Sequence, residues 1–404
     1  MDIQTICAFI FIGCMLLFLY VNRKKIIIQK IFYPFLYFAM YKTKIGLELM
    51  DRMAKKHPKF LKYLAYVGVA AGFLGMIAMA AMLVINFYNL ITKPAVVSGV
   101  MMVLPFKAAG TFYVPFFYWI ISIFLLVIVH EFSHGVIARL YNIKINSSGL
   151  AFLNIIVPVI PAAFVEPDEK ELRKRPKIQQ LSVFAAGPFS NILFALVVLA
   201  IMGLVMVPVS NAVFNYNGVL VTGFTPSNET FPAEAAGMTE NELIIGIDNM
   251  PITTVENFTE IMQNKTPGES VVITTNVTDY NIVLTESPDN ESVAYLGIYL
   301  TQNQEIKENV LQKYGKTLPN IFVWFVGLFY WIYVLNLGIG LFNLVPLGPI
   351  DGGRMLQLAM HKFFKKKNGD KIWKVISFIF LGLVLINVLW PFIQNLIRFI
   401  IGFF

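Results

Sequence analysis

Apolar residues run with almost no charged interruption over six stretches of the chain, at about 6–21, 64–90, 116–138, 181–207, 321–344 and 376–403. A hydrocarbon core about 30 Å thick takes about 20 helical residues to cross, so each stretch reads as a transmembrane helix. Six such spans use only about 120 residues, and most of the chain therefore lies outside simple spans.

Composition agrees with this pattern. Hydrophobic residues make up 57% of the 404 and charged residues only 14%, against roughly 25% charged in an ordinary soluble domain. A normal cytosolic enzyme is excluded. The first stretch has no basic residue ahead of it and no clear small-residue cleavage site, but Asn22-Arg23-Lys24-Lys25 follows it. It is therefore expected to be a retained anchor with its N-terminus outside, not a secretory signal.

Alternating the spans from that start places residues 22–63, 139–180 and 345–375 in the cytosol, and these three segments hold 25 of the 32 Lys and Arg residues. The positive-inside rule supports this orientation. Between the fourth and fifth spans, residues 209–317 carry 14 Asp/Glu against 4 Lys/Arg. The formal net charge of +8 thus divides into −10 on this segment and +18 on the remainder. The basic balance is explained by cytosolic anchoring, and no nucleic-acid partner is needed.

Asn-x-Ser/Thr acceptors at Asn228, Asn257, Asn264, Asn276 and Asn290 fall in the acidic segment, with one other, Asn146, on the cytosolic side. They fit an extracytosolic domain, although chance composition also produces such triplets. The expected division is 1–63 (first span and basic segment), 64–208 (first half of the membrane core), 209–317 (outer domain) and 318–404 (second half and last span). Cys7 and Cys14 both lie in the first span, so neither a disulfide framework nor a Cys-based metal site is expected.

The third span ends in His130-Glu131-Phe132-Ser133-His134-Gly135. On a helix, His130 and His134 project from one face at a spacing that lets both imidazoles reach one metal ion. Glu131 lies beside them and is the candidate general base for a metal-activated water, with zinc as the expected metal. The alternative is two helix-end histidines with a chance glutamate between them. Against it, the chain has only four histidines and half of them are here, and ionisable groups inside a span cost on the order of 2.5–3.5 kcal/mol on insertion scales. From Phe116 to His130 the helix rises roughly 21 Å, which places the site about two thirds of the way across, toward the cytosol.

Catalytic zinc usually takes three protein ligands. Asp351 is the best candidate for the third, in Asn343-Leu344-Val345-Pro346-Leu347-Gly348-Pro349-Ile350-Asp351-Gly352-Gly353. A straight helix from Ile321 would carry Asp351 roughly 45 Å along its axis, so the helix must break, and the prolines and glycines supply the means. The competing reading is a plain Pro/Gly turn in which Asp351 caps the next helix. The stretch 148–165, interrupted by Pro158 and Pro161, is too broken for a span and is expected to form a membrane-dipping strand or loop.

Together these motifs resemble the site-2 proteases, intramembrane zinc metalloproteases with a polytopic α-helical fold. The resemblance rests on His130-Glu131-x-x-His134-Gly135, on Ala186-Gly187-Pro188-Phe189-Ser190-Asn191 as a Gly-x-x-x-Asn signature, and on Asn343-x-x-Pro346 leading into Asp351-Gly352-Gly353. It covers about residues 116–358. It implies one zinc ion on His130, His134 and Asp351, Glu131 as the base, and Asn191 and Asn343 as residues that position the substrate backbone. It also implies transmembrane protein substrates, whose ectodomains are expected to be shortened if the outer domain filters by size; the chain's compactness and absence of targeting signals favour a prokaryotic plasma membrane over an organelle.

Residues 219–300 resemble a PDZ module, with Pro232 to Met238 leading into Leu243 to Ile252, then runs at 270–275 and 280–284. Asn241-Glu242 stands where such modules usually have Gly-Asp. The module is expected either to bind an extended peptide or to act as a size filter that excludes bulky ectodomains. The fold expected is thus about six transmembrane helices with an inserted extracytosolic α+β PDZ-like domain. Two other classes compete with the protease reading: a different membrane zinc protease with a downstream Glu as third ligand, and a non-catalytic membrane adaptor that binds peptides through the inserted domain.

Overall fold

The computed structural model describes residues 3–32, 36–92, 98–106, 111–155, 157–225, 230–288 and 290–401. Among these, five helices are long and apolar enough to cross a membrane: Pro58–Thr92, Phe116–Leu140, Lys177–Val213, Thr317–Phe342 and Lys366–Gln394. The remaining expected span, at 6–21, forms a shorter apolar helix, α1 (Ile3–Val21). The chain divides into a membrane unit, which includes residues 98–202 and 326–404 together with the N-terminal 92, and a second unit over 203–325.

In the membrane unit, α1 leads into strands β1 (Ile26–Phe32) and β2 (Leu36–Thr43). There follow the amphipathic helix α2 (Leu47–Lys56) and the helices α3 (Pro58–Thr92) and α4 (Phe116–Leu140). After α4 come β3 (Ile145–Ile155), β4 (Val157–Pro167) and α5 (Lys177–Ile201), which runs on through a π-helical turn, Met202–Met206. The chain re-enters through α6 (Thr317–Phe342) and ends in α7 (Asp351–Phe363) and α8 (Lys366–Ile401). α5 packs against both α3 and α4.

The broken apolar stretch after α4 is a hairpin, and the basic segment at 22–63 is more than a charged loop. Its strands complete a four-stranded antiparallel sheet in the order β1-β2-β3-β4, with Thr43 opposite Ser148 and Ser148 opposite Val165. The reason is backbone satisfaction: an apolar strand pair at membrane depth leaves unpaired N–H and C=O groups unless other strands accept them. At the base of the sheet, Glu166 accepts hydrogen bonds from Lys42 Nζ and Ser147 Oγ, each at 2.6 Å. β4 remains at one edge and packs on α4.

The helix break expected after the fifth span is present. α6 stops at Phe342, residues 343–350 form turns, and α7 begins at Asp351. The Gly352 N–H donates to the Asn343 carbonyl at 2.8 Å, closing the loop on itself. A Cβ on Gly352 would lie 2.3 Å from the Leu344 carbonyl oxygen, and one on Gly353 would lie 2.1 Å from that of Leu347. Only glycine permits so tight a return.

The second unit is α+β. Strands β5 (Phe214–Phe224), β6 (Leu243–Ile247), β7 (Ser270–Thr275), β8 (Asp279–Val283) and β9 (Ile298–Ile306) form a sheet in the order β8-β7-β6-β5-β9. Val219, Val221, Ile244, Ile247, Val271 and Ile273 are fully buried on its core face. A helix over Val255–Gln263, N-capped by Thr254 Oγ1 on the Asn257 N–H, packs Phe258 and Met262 against them.

The departure at Asn241-Glu242 has a structural explanation. Asn241 adopts φ 71°, the left-handed conformation that glycine takes freely and asparagine tolerates. Glu242 is 4% exposed and accepts hydrogen bonds from Thr239 N–H (2.7 Å), Thr239 Oγ1 (2.8 Å), Tyr280 Oη (3.0 Å) and Thr275 Oγ1 (3.0 Å). It fastens the turn before β6 to β7 and β8. Burial pushes its carboxyl upward in pKa, but these donors outweigh burial and hold it below the ordinary glutamate value.

A lowered folded-state pKa adds stability that is fully present above the unfolded value of about 4.3 and is lost as pH falls through the folded value. Acidification below about pH 4 is therefore expected to loosen this unit. Glu242→Ala is expected to destabilise it by about 1–3 kcal/mol at neutral pH by leaving buried donors unpaired. Amide hydrogen exchange of β6 and β7 in the intact protein measures both effects.

Candidate metal centre

His130 and His134 lie one turn apart near the C-terminal end of α4, and Asp351 is the first residue of α7, brought to them by the 343–350 turns. The three approach closely. Asp351 Oδ2 is 3.1 Å from His130 Nε2 and 3.4 Å from His134 Nε2, and the two Nε2 atoms are 3.1 Å apart. The helix-cap reading of Asp351 does not hold: Ile350 occupies the cap position, and the Asp351 carboxylate is turned to the histidines.

The remaining ring nitrogens decide which tautomers are present. His134 Nδ1 lies 2.6 Å from the Val183 carbonyl, an acceptor only, so Nδ1 carries the hydrogen and Nε2 presents a lone pair. His130 Nδ1 lies 3.1 Å from the side-chain amide of Asn191. Asn191 is fully buried, and its Oδ1 has no hydrogen-bond partner in the built orientation. With Nδ2 toward Nδ1, His130 carries its ring hydrogen on Nε2, facing Asp351 Oδ2; with the amide turned so that Oδ1 meets Nδ1, the hydrogen moves to Nδ1 and Nε2 is free for a metal, as in His134. In that second arrangement two nitrogen lone pairs and a carboxylate oxygen face one another, the donor set that binds a metal ion. Such a set repels itself unless a cation sits among its members.

Zinc fits this donor set. Two imidazole nitrogens and one carboxylate match a catalytic three-ligand site, and tetrahedral zinc with bonds of about 2.0–2.1 Å separates its ligands by roughly 3.3 Å. His130, His134 and Asp351 are the residues that would hold it. They are also the group of metal-capable side chains that converges among the described residues. The other two histidines are elsewhere: His57 follows α2, and His361 pairs with Asp370 at 2.7 Å.

α5 supplies the wall behind the histidines. Val183, Gly187 and Asn191 recur every four residues and form one face of that helix, meeting His134 at one end and His130 at the other. Gly187 makes this approach possible: a Cβ there would lie 2.3 Å from His134 Nε2 and 2.6 Å from His130 Nε2. In the sequence Gly187 stands out only as part of the Gly-x-x-x-Asn signature. Its four-residue spacing from Asn191, matching that of the two histidines, is the signal that was available. Asn191 acts on His130, and is a positioning residue in this geometry. Asn343 contributes its backbone carbonyl to the 343–350 loop, and its side chain is half-buried.

Glu131 is half-buried, and its Oε2 accepts a hydrogen bond at 3.0 Å from the Val165 N–H of the edge strand β4. The strand edge and the candidate base are thus joined directly. Gly135, next in the motif, lets Met50 of α2 and Val165 close in on α4; a Cβ there would meet Met50 Sδ at 2.5 Å.

Two outcomes follow from this packing. Gly187→Ala is expected to force the histidines apart and lower zinc content well below one ion per chain, read by elemental analysis of purified protein. Asn191→Ala, which frees the His130 ring, is expected to weaken zinc about 10–100-fold, read by competition with a chelator of known affinity.

Comparison with known proteins gives the family. The model of Peptidase family M50 matches residues 118–387, a stretch that contains His130, Glu131, His134, Gly187, Asn191 and Asp351. An uncharacterized protein of Methanocaldococcus jannaschii is 26% identical over 262 residues, covering 65% of this chain and 62% of that protein. The zinc metalloprotease RasP of Oceanobacillus iheyensis is 23% identical over 323 residues, covering 66% of this chain and 72% of that one. The PDZ domain of the SdrC-like protein from Listeria monocytogenes matches 21% of this chain and 90% of its own at 24% identity, with a TM-score of 0.19. The family match spans well over half of the chain and encloses the whole metal centre, and on that ground the chain belongs to Peptidase family M50.

Proposed function

We propose that this protein is an intramembrane zinc metalloprotease that hydrolyses peptide bonds within transmembrane segments of other proteins. Membership of Peptidase family M50 and the likeness to RasP support the reaction class. The observation that carries the reading is the hydrogen bond from Val165 N–H to Glu131, because it sets an open strand edge beside the base and the three metal-facing donors.

A helical substrate hides its scissile carbonyl within its own hydrogen bonds, so it must unwind before cleavage. An extended segment pairs by strand addition, and the edge of β4 is the surface that would take it. Zinc, when bound, supplies a Lewis acid for the carbonyl and lowers the pKa of an attacking water to roughly 7. Glu131 accepts the proton as the water's oxygen bonds to the carbonyl carbon, and returns it to the leaving nitrogen as the C–N bond breaks. Asn191 and the Val183 carbonyl hold the two imidazoles in the tautomer that leaves Nε2 free. Asn343, on the loop that delivers Asp351, is the residue proposed to meet the substrate backbone.

The charge pattern supports an orientation with residues 22–63, 139–180 and 345–375 in the cytosol and the acidic inserted unit outside; the membrane proposed is a prokaryotic plasma membrane. The inserted unit, joined at both ends to spans, is read as a size filter that admits substrates whose ectodomains have been shortened.

Glu131→Gln is expected to keep one zinc per chain and to slow cleavage by about 10²–10⁴-fold. Asp351→Ala is expected to lose the metal as well. Cleavage of single-span substrates with trimmed and untrimmed ectodomains, followed by mass spectrometry of the products, tests the rest. Wild-type rates in Glu131→Gln would overturn the catalytic assignment, and equal cleavage of both substrate forms would overturn the filter.

A further inference from the structure

Two hollows in the membrane unit border the same helical stripe of α3 and of α4. The first, of about 440 Å³, is polar and opens at the end of α4, between Asp51 and Lys55 of α2, Pro58 of α3, Arg139 of α4, and Lys144 and Glu171 beyond it. The second, of about 300 Å³, is apolar and lined by Leu61 and Leu64 of α3, Val136 and Ile137 of α4, and Phe189 and Leu193 of α5. Helical spacing links them. On α3, Pro58 borders the polar hollow, and Leu61, Ala65 and Gly68 border the apolar one on the same face. On α4 the same holds for Leu140 in the first and Val136, Ile137 and Ser133 in the second. From Pro58 to Gly68 the stripe runs roughly 15 Å into the span.

The charges in the polar hollow are not balanced. Three cations, Lys55, Arg139 and Lys144, face two carboxylates. Arg139 Nε pairs with Asp51 at 3.0 Å, and Glu171 Oε2 accepts the Lys144 backbone N–H at 2.8 Å. Among the described residues, the Lys55 and Lys144 ammonium groups have no ionic partner, and both residues are exposed. A ligand that satisfies both hollows carries one negative charge at its head and an apolar chain.

We propose that an anionic phospholipid binds here, its phosphodiester between Lys55, Lys144 and Arg139 and one acyl chain along the groove between α3, α4 and α5. One phosphodiester charge neutralises the excess of one cation. A zwitterionic lipid brings its own cation and leaves that excess in place. The groove floor, at Ala186, Phe189 and Ser190, belongs to the turns of α5 on either side of Gly187, so a seated chain buttresses the wall that holds the histidines. The site is separate from the metal centre, and its existence does not depend on proteolysis.

The test uses the intact protein in nanodiscs of phosphatidylcholine alone or with one fifth phosphatidylglycerol, with zinc content confirming the fold of each variant. Wild type is expected to retain one phosphatidylglycerol by native mass spectrometry after detergent extraction and to melt at a higher temperature in the mixed membrane. K55A/K144A removes two exposed cations that face the headgroup, so lipid affinity is expected to fall about tenfold or more. Leu64→Trp fills the groove, keeps both lysines, and is expected to lose the retained lipid too. Equal phosphatidylglycerol retention in wild type and K55A/K144A would overturn the proposal. So would undiminished retention in Leu64→Trp, or an equal thermal gain from inorganic phosphate alone.

Discussion

Two imidazole nitrogens and a carboxylate oxygen held about 3 Å apart in a buried space repel one another unless a cation joins them, and the membrane unit is arranged around that requirement. The cost of bringing such groups into an apolar interior is met only if each is individually satisfied on its other side. Val183 and Asn191 satisfy the histidines, and the turns at 343–350 aim Asp351. Gly187 removes a side-chain atom that would collide with both imidazoles. The close packing of α4 against α5 follows from this constraint as much as from apolar burial.

The sheet serves the same centre from the other side. Strand edges are normally hidden because unpaired backbone groups invite other chains, and in this protein an edge lies next to the base. β1 and β2 pair the far side of the hairpin, which leaves β4 as the strand that faces α4. The hydrogen bond between Val165 and Glu131 then ties the strand edge proposed to take extended backbone to the group proposed to move the proton.

Much of this was legible in the chain. The spans follow from unbroken apolar length, and the acidic unit stands apart because its charge is opposite to that of the loops. His130, Glu131 and His134 are local on one helix, where spacing alone decides which side chains share a face. The inserted unit was legible strand by strand because alternation and turn residues are also local; the run at 270–275 forms a strand with those bounds. The sheet partners of the hairpin were not legible, because pairing between residues about 100 positions apart leaves no periodic mark in either segment. Gly187 was unassigned for a related reason: a glycine's importance lies in what approaches it, and the approaching histidines are some 50 residues away.

By itself the sequence determined that this is a membrane protein with a two-histidine, one-glutamate motif at the end of a span, and that the span before Asp351 had to break. Those outcomes depend on hydropathy, helical spacing and the backbone limits of proline and glycine, all of which act within a few residues. Tertiary structure alone decided that Asp351 faces the histidines and does not cap α7, that Asn191 orients His130, and that the edge of β4 reaches Glu131. Each of these depends on which helix faces lie together in space, and that is set by packing across the whole unit.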